Sequence, residues 1–234
     1  MLRENMKSQN NLILSADRSA WSALAHHGTE WDQSSKMSKV RNQILKRDDN
    51  TCQGCGWRSE RWQEIHHRNG DHSDYNLDNL ETLCPLCHQV FHLPTAAATS
   101  GGSIIWLPEM TQAQLNLICI AIFVAIRDNR SRWKHPAQAL FQQFEARKAI
   151  MEEQMGSCDP GALAQVLIKL SPEQYQERQK IISPLRLLPY HTRFQTAIEH
   201  WATVDFKRRP PEMWEDVLPS HFNLAEIIQS SEEE

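Results

Sequence analysis

The chain has 234 residues, with 40% hydrophobic and 23% charged, the balance of an ordinary soluble globular protein built as one large domain or two small ones. Its net charge of −4 and pI of about 6.3 do not call for nucleic acid, since dedicated binders are usually basic. The polar N-terminus is not a secretory signal, and the longest apolar run, 115–126, is too short for the ~20 residues that cross a bilayer. A cytoplasmic location is therefore expected.

Residues 1–10 read as disordered. Residues 11–35, with Trp21 and Trp31, suggest a strand and irregular cover packed on later elements. The spacing of Val40, Ile44 and Leu45 predicts a helix over 38–47, stopped by Asp48-Asp49-Asn50. This helix is locally basic (Lys36, Lys39, Arg41, Lys46, Arg47), so phosphate contact and a solvated face are both open readings. A tight glycine-containing knuckle follows at 52–57, then a short strand at 63–67 and a turn at Arg68-Asn69-Gly70-Asp71. Residues 76–83 read as a loop leading to a helix that starts at Pro85 and turns Leu86, Val90 and Phe91 inward. The small-residue stretch 95–102 reads as a linker.

The rest reads as mainly helical. Thr111 and Gln114 form a capping box before an all-round apolar helix at 112–127. An amphipathic helix is expected at 137–155, ended by Gly156, and a short one at 160–170. Ser171-Pro172-Glu173-Gln174 opens another helix with cap, proline and capping-box residue in order, and a last one spans 192–204. The domain reading is 1–10 disordered, 11–94 a zinc-binding domain, 95–102 linker, 103–216 helical domain and 217–234 tail. The fold class is α+β.

The chemistry concentrates in 51–92. Cys52, Cys55, Cys84 and Cys87 form two C-x-x-C pairs. In a reducing compartment such pairs read as metal ligands, and four thiolates satisfy a closed structural Zn2+ site. Zinc would substitute for a core that so small a ββα unit lacks. Cys119 and Cys158 stand alone and read as buried apolar side chains. His66 and His67 are adjacent on the predicted strand and point to opposite faces, whereas His88 and His92 share one helix face at i, i+4. His72 reads as an exposed loop residue. Asn79 precedes Leu80 ahead of the second knuckle.

These residues resemble the HNH, or ββα-metal, nuclease motif of colicin DNases and many phage and restriction endonucleases. The carrying segments are I-H-H at 65–67, N-L at 79–80 and L-C-P-L-C-H-Q-V-F-H at 83–92. The resemblance implies His67 as general base, with His66, His88 and His92 holding one divalent metal (Mg2+, Mn2+, Ni2+ or Zn2+). It implies that Asn79 orients the His67 ring by a hydrogen bond. DNA would be the substrate. The alternative is that the fold survives as a zinc-stapled scaffold and the histidines do no catalysis.

The remainder resembles the DotN (IcmJ) family of type IVB, Dot/Icm, secretion systems. The likeness lies in G-G-S-I-I-W-L-P-E-M-T-Q-A-Q-L-N at 101–116, in the 137–155 helix with its G-S-C-D-P turn, and in L-R-L-L-P at 185–189. It implies a cytoplasmic subunit docked on the C-terminal tail of the coupling ATPase DotL at the inner membrane, aiding substrate presentation and using an HNH-like fold for assembly. That family pattern has eroded H-H and N positions, whereas this chain keeps them. Two readings therefore stand: an interaction subunit, predicting a peptide groove with Trp133, Leu187, Leu188 and Tyr190 as contributors, and an active HNH endonuclease.

Overall fold

The computed structural model describes residues 12–16, 35–127 and 132–208. The expected disordered start, Trp21, Trp31, His26-His27 and the C-terminal tail lie outside the described residues. The first helix, α1 (Ser35–Arg47), buries Ile44 and leaves Val40 and Leu45 half-buried. It ends as its turn chemistry requires. Asp49 and Asn50 take left-handed φ of 49° and 51°, and Asn50 N donates back to Leu45 O.

After the first knuckle, β1 (Glu64–His67) pairs antiparallel with β2 (Leu80–Leu83), His66 opposite Glu81 and His67 opposite Leu80. The 76–83 stretch is thus a 3-10 turn (Leu77–Asn79) and a strand, where a loop is expected from sequence. All four β2 residues are buried, so no alternation marks the strand. A short α2 (Pro85–His88) and a 3-10 turn (Gln89–Phe91) follow, and the chain breaks at His92 (φ −129°, ψ 55°) before α3 (Leu93–Ala98). The break has a local cause. A continuous helix would place Pro94 in its interior, where the ring clashes with the Val90 carbonyl and offers no N–H. Val90 O instead accepts from Ser15 N, and Leu93 N donates to Ser15 O. Residues 12–16 therefore lie along the break as the expected cover, burying Leu12 and Leu14.

The 95–102 stretch is not a spacer. It is helical to Ala98, buries Ala96, and gives way directly to β3 (Gly102–Trp106). Its small side chains permit close helix contact: a Cβ added at Gly161 would lie 3.1 Å from Ala97 Cβ. β3 pairs antiparallel with a later strand, Leu185–Pro189, which becomes β4, so the mainly helical half also holds a sheet. A Cβ at Gly102 would fall 2.3 Å from Leu188 O, so this crossing tolerates only glycine.

Between these strands run α4 (Gln112–Arg127), α5 (Lys134–Ala146), α6 (Lys148–Met155), α7 (Pro160–Ile168), α8 (Pro172–Gln176) and α9 (Arg178–Ile182). Both expected capping boxes form, at Thr111–Gln114 and Ser171–Gln174. The single helix expected at 137–155 is two, divided at Arg147, and Gly156 closes the second at φ 72°. After β4, a 3-10 turn (His191–Phe194) leads to α10 (Gln195–His200), a π-helical turn (Trp201–Asp205) and a 3-10 turn (Phe206–Arg208). That end closes over the first knuckle. Trp201, fully buried, meets Trp57 edge-on at 6.2 Å, and Ser59 Oγ donates to Asp205 Oδ2 at 2.7 Å.

One apolar cluster joins Trp57, Leu83, Leu86, Val90 and Leu93 of the metal segment to Phe123, Leu163, Leu187 and Trp201. Leu187 and Leu188 are fully buried and cannot line a surface groove, whereas Trp133 and Tyr190 are half-buried. No described helix is long and apolar enough to cross a membrane.

Candidate metal centres

The two knuckles bring Cys52, Cys55, Cys84 and Cys87 together, with their sulfurs within 4.8 Å of one another. The first knuckle is closed by Gly56 N donating to Cys52 O and Cys52 N to Trp57 O. The second is the first turn of α2, where His88 N donates to Cys84 O. Space at Gly54 is tight, since a Cβ would meet Leu12 at 3.0 Å and Cys87 Sγ at 3.3 Å. The Cys55 and Cys84 sulfurs are 3.7 Å apart. A tetrahedron with ~2.3 Å metal–sulfur bonds separates its sulfurs by about 3.8 Å, so the donor set fits a structural Zn2+.

Burial pushes the Cys84 and Cys87 thiols well above the usual value. Cys52 feels the same burial, yet the neighbouring Cys55, Cys84 and Cys87 thiols hold it well below. One thiolate stabilised by three thiols is what four buried cysteines give without a cation; a bound cation would favour all four as thiolates. Cys119 is buried on α4, where burial alone raises its thiol, and Cys158 is only half-buried, short of the buried position expected for it.

The second cluster is His66, His88 and His92, whose ring nitrogens also lie within 4.8 Å of one another. His88 Nε2 and His92 Nε2 are 3.2 Å apart, a separation that suits two ligands of one ion at ~2.0–2.1 Å. His92 has left the helix, but the i, i+4 pairing survives because the Gln89–Phe91 turn is still helical. His66 stacks on Phe91 at 4.2 Å, so Phe91 supports a ligand ring where core burial is expected of it. Three ligands leave open positions, the arrangement of a site that can take substrate or water.

Sequence reasoning missed Glu64. Its Oε2 lies 2.5 Å from His88 Nδ1, the carboxylate–histidine contact that fixes which ring nitrogen faces a metal. The signal was available, because Glu64 is two residues before His66 on the same strand face.

His67 lies beside this cluster and is buried. His72 stacks on its ring at 5.1 Å, so His72 belongs to the site and is not a free loop side chain. Burial, with His88 close by, pushes His66 down to about 3; burial, with His72, pushes His67 down to about 4. Both are neutral at pH 7. The Asn79 amide stitches the intervening loop: Oδ1 accepts from Asn69 N (3.0 Å) and Nδ2 donates to Asp74 O (3.1 Å). These two Asn79 contacts are with the loop backbone, where a hydrogen bond to the His67 ring is expected from sequence.

His66, His67, His72 and His92 line one side of a cleft of about 460 Å3. The facing side comes from the other half, with Leu167, Leu170, Pro172 and Tyr175. Both arginines of the basic helix bond to backbone carbonyls of the fold. Arg41 donates to Gln63 O, and Arg47 donates to Leu77 O and Leu80 O and pairs with Asp48. Lys39 and Lys46 remain exposed.

No protein-family model matches the chain. It is similar to the type 4 apparatus protein DotN of Legionella pneumophila subsp. pneumophila strain Philadelphia 1, 35% identical over 171 residues that cover 71% of this chain and 79% of that protein.

Proposed function

The chain belongs to the DotN family, and from that premise we propose that it is a zinc-stapled, HNH-like subunit of a Dot/Icm type IV secretion apparatus. In this reading it docks on the C-terminal tail of a DotL-like coupling ATPase. It works in the cytoplasm, at the inner membrane by way of that ATPase, and helps present substrates. One observation carries the reading. The similarity spans 171 residues, far more than the 51–92 metal segment, so it must extend into the helical half. The fold agrees, because that half shares one core with the metal segment. Pull-down of the full chain with the ATPase tail is the test. Retention that survives His67→Ala and His88→Ala supports assembly; no retention of the wild-type chain overturns the docking.

A second reading, an HNH endonuclease acting on DNA, is favoured by the convergence of His66, His88 and His92, with His66 and His92 lining one cleft with His67. A divalent ion held there (Mg2+, Mn2+, Ni2+ or Zn2+) would supply Lewis acidity to a phosphodiester. His67, neutral at pH 7, could accept a proton from water, although a value near 4 makes it a weaker base than one matched to that pH. Plasmid nicking with a metal panel, beside His67→Ala, tests this. Nicking abolished by the substitution supports it, and nicking that persists sinks the mechanism.

A further inference from the structure

The helical half contributes a side chain to the four-cysteine centre. Asn116 sits on α4 among apolar neighbours and is fully buried. Asparagine is a poor mid-helix residue, and an unmet buried amide donor costs about 1–3 kcal/mol. Here the amide is engaged at both ends. Nδ2 donates to Leu86 O at 3.1 Å and to Cys87 Sγ at 3.3 Å, while Oδ1 accepts from Gln112 Nε2 at 2.9 Å. Gln112, one turn earlier and also buried, donates to Leu187 O and accepts from Leu187 N, both at 2.8 Å.

The direction of this chain is fixed by its backbone ends. Leu187 N–H can only donate, so it faces Gln112 Oε1 and turns Nε2 toward Asn116. Leu86 C=O can only accept, so it faces Asn116 Nδ2. Both amide orientations follow without appeal to the sulfur. The Cys87 sulfur therefore always meets an N–H donor. Four thiolates around a divalent cation carry a net charge of −2 into the interior, and a fixed donor on one sulfur spreads that charge.

We propose that Asn116 is a positioning residue of the four-cysteine metal centre, donating an N–H···S hydrogen bond to the Cys87 thiolate and held for that task by Gln112 and β4. The proposal rests on the cysteines holding a tetrahedral metal. The metal unit is then completed by the helical half and is not a self-contained ββα module.

The test uses the full chain. Zinc transfer to a chelator should be roughly 10- to 100-fold faster in Asn116→Leu, the usual scale for losing an outer partner of a metal ligand. Asn116→Asp, of equal size but presenting an acceptor, should release zinc faster still. In Co2+-substituted protein, Asn116→Leu should move the thiolate-to-cobalt charge-transfer band to lower energy while the d–d bands stay tetrahedral, a change that a merely structural loss would not produce. Wild-type zinc retention together with an unmoved band overturns the proposal. In the 113Cd-loaded wild-type chain, which depends on no variant folding, the Asn116 side-chain amide proton should show scalar coupling to cadmium, and absence of that coupling also overturns it. A wild-type chain without tetrahedral Co2+ bands would instead overturn the metal reading beneath it.

Discussion

Replacing Cys87 by serine should separate a metal-held fold from four incidental buried cysteines. Cys87 is fully buried, accepts from Asn116, and belongs to the set whose Cys55 and Cys84 members sit at tetrahedral spacing. Structural zinc contributes about 10–16 kcal/mol in small units, so one of four ligands accounts for about 3 kcal/mol. Domains of this size have about 5–15 kcal/mol in total. With a urea slope of about 2–3 kcal/mol/M, the unfolding midpoint should fall by about 1–1.5 M. Zinc, measured by atomic absorption after dialysis, should fall from one per chain to well below that. Cys119→Ala is the control. Cys119 is equally buried but lies outside the cluster, so it should keep its zinc and lose only about 1 kcal/mol of packing. The reasoning is refuted if Cys87→Ser retains stoichiometric zinc, or if the two variants shift the midpoint equally.

His88→Ala should abolish binding of a second divalent ion, read by titration calorimetry, and leave the cysteine-bound zinc in place, whereas Glu64→Gln should weaken that second ion by roughly 10- to 100-fold. Gly102→Ala should lower the thermal midpoint sharply, by the equivalent of about 3 kcal/mol or more, because its Cβ would enter the space of Leu188 O; a midpoint within 2 °C of wild type would contradict the β3–β4 register. Asp48 accepts from Thr82 N and pairs with Arg47, and despite the opposing effect of burial its carboxyl is held below the usual range. A depressed value means its stabilisation is present above about pH 4 and is lost as pH falls through the folded value. Asp48→Asn should therefore be about 1–2 kcal/mol less stable than wild type at pH 7 in urea melts, with the gap closing below pH 4; a gap constant with pH would show that the charge contributes nothing.

What the sequence made legible is what is local. The C-x-x-C pairs, the i, i+4 histidines, both capping boxes and the glycine stop at Gly156 each depend on residues within a few positions. The β3–β4 sheet joins Gly102–Trp106 to Leu185–Pro189, far apart in the chain, and both strands are almost wholly buried, so neither alternates. Asn116 interrupts the apolar run of 115–126, and its partners at Leu86 and Cys87 are visible only in three dimensions. The break at His92 could have been anticipated from Pro94, which offers no N–H to a continuing helix. Its consequence, a carbonyl left for Ser15, could not.

The two clusters are ordered by dependence. Cys84 and Cys87 flank the first turn of α2, and His88 and His92 follow on the same nine-residue stretch. The cysteine centre fixes the start of that turn, so it sets where the histidines point. The knuckles themselves close through Cys52, Trp57 and Cys84 backbone bonds that involve no imidazole. Loss of a cysteine should therefore dissolve both sites, while loss of a histidine should cost only the second. A scaffold with that asymmetry can keep its fold while its histidine site is kept, retuned or abandoned. The present chain combines three clustered histidines, a Glu64 contact to one of them and a buried neutral His67 with a helix whose Arg41 and Arg47 donate to backbone carbonyls. At the cleft, Arg68 pairs with the buried Glu81 and Arg178 donates to Leu14 O, Tyr175 O and Ser15 Oγ, while Lys39 and Lys46 are exposed. Whether that histidine site is used is what the second-ion titration and the nicking assay decide.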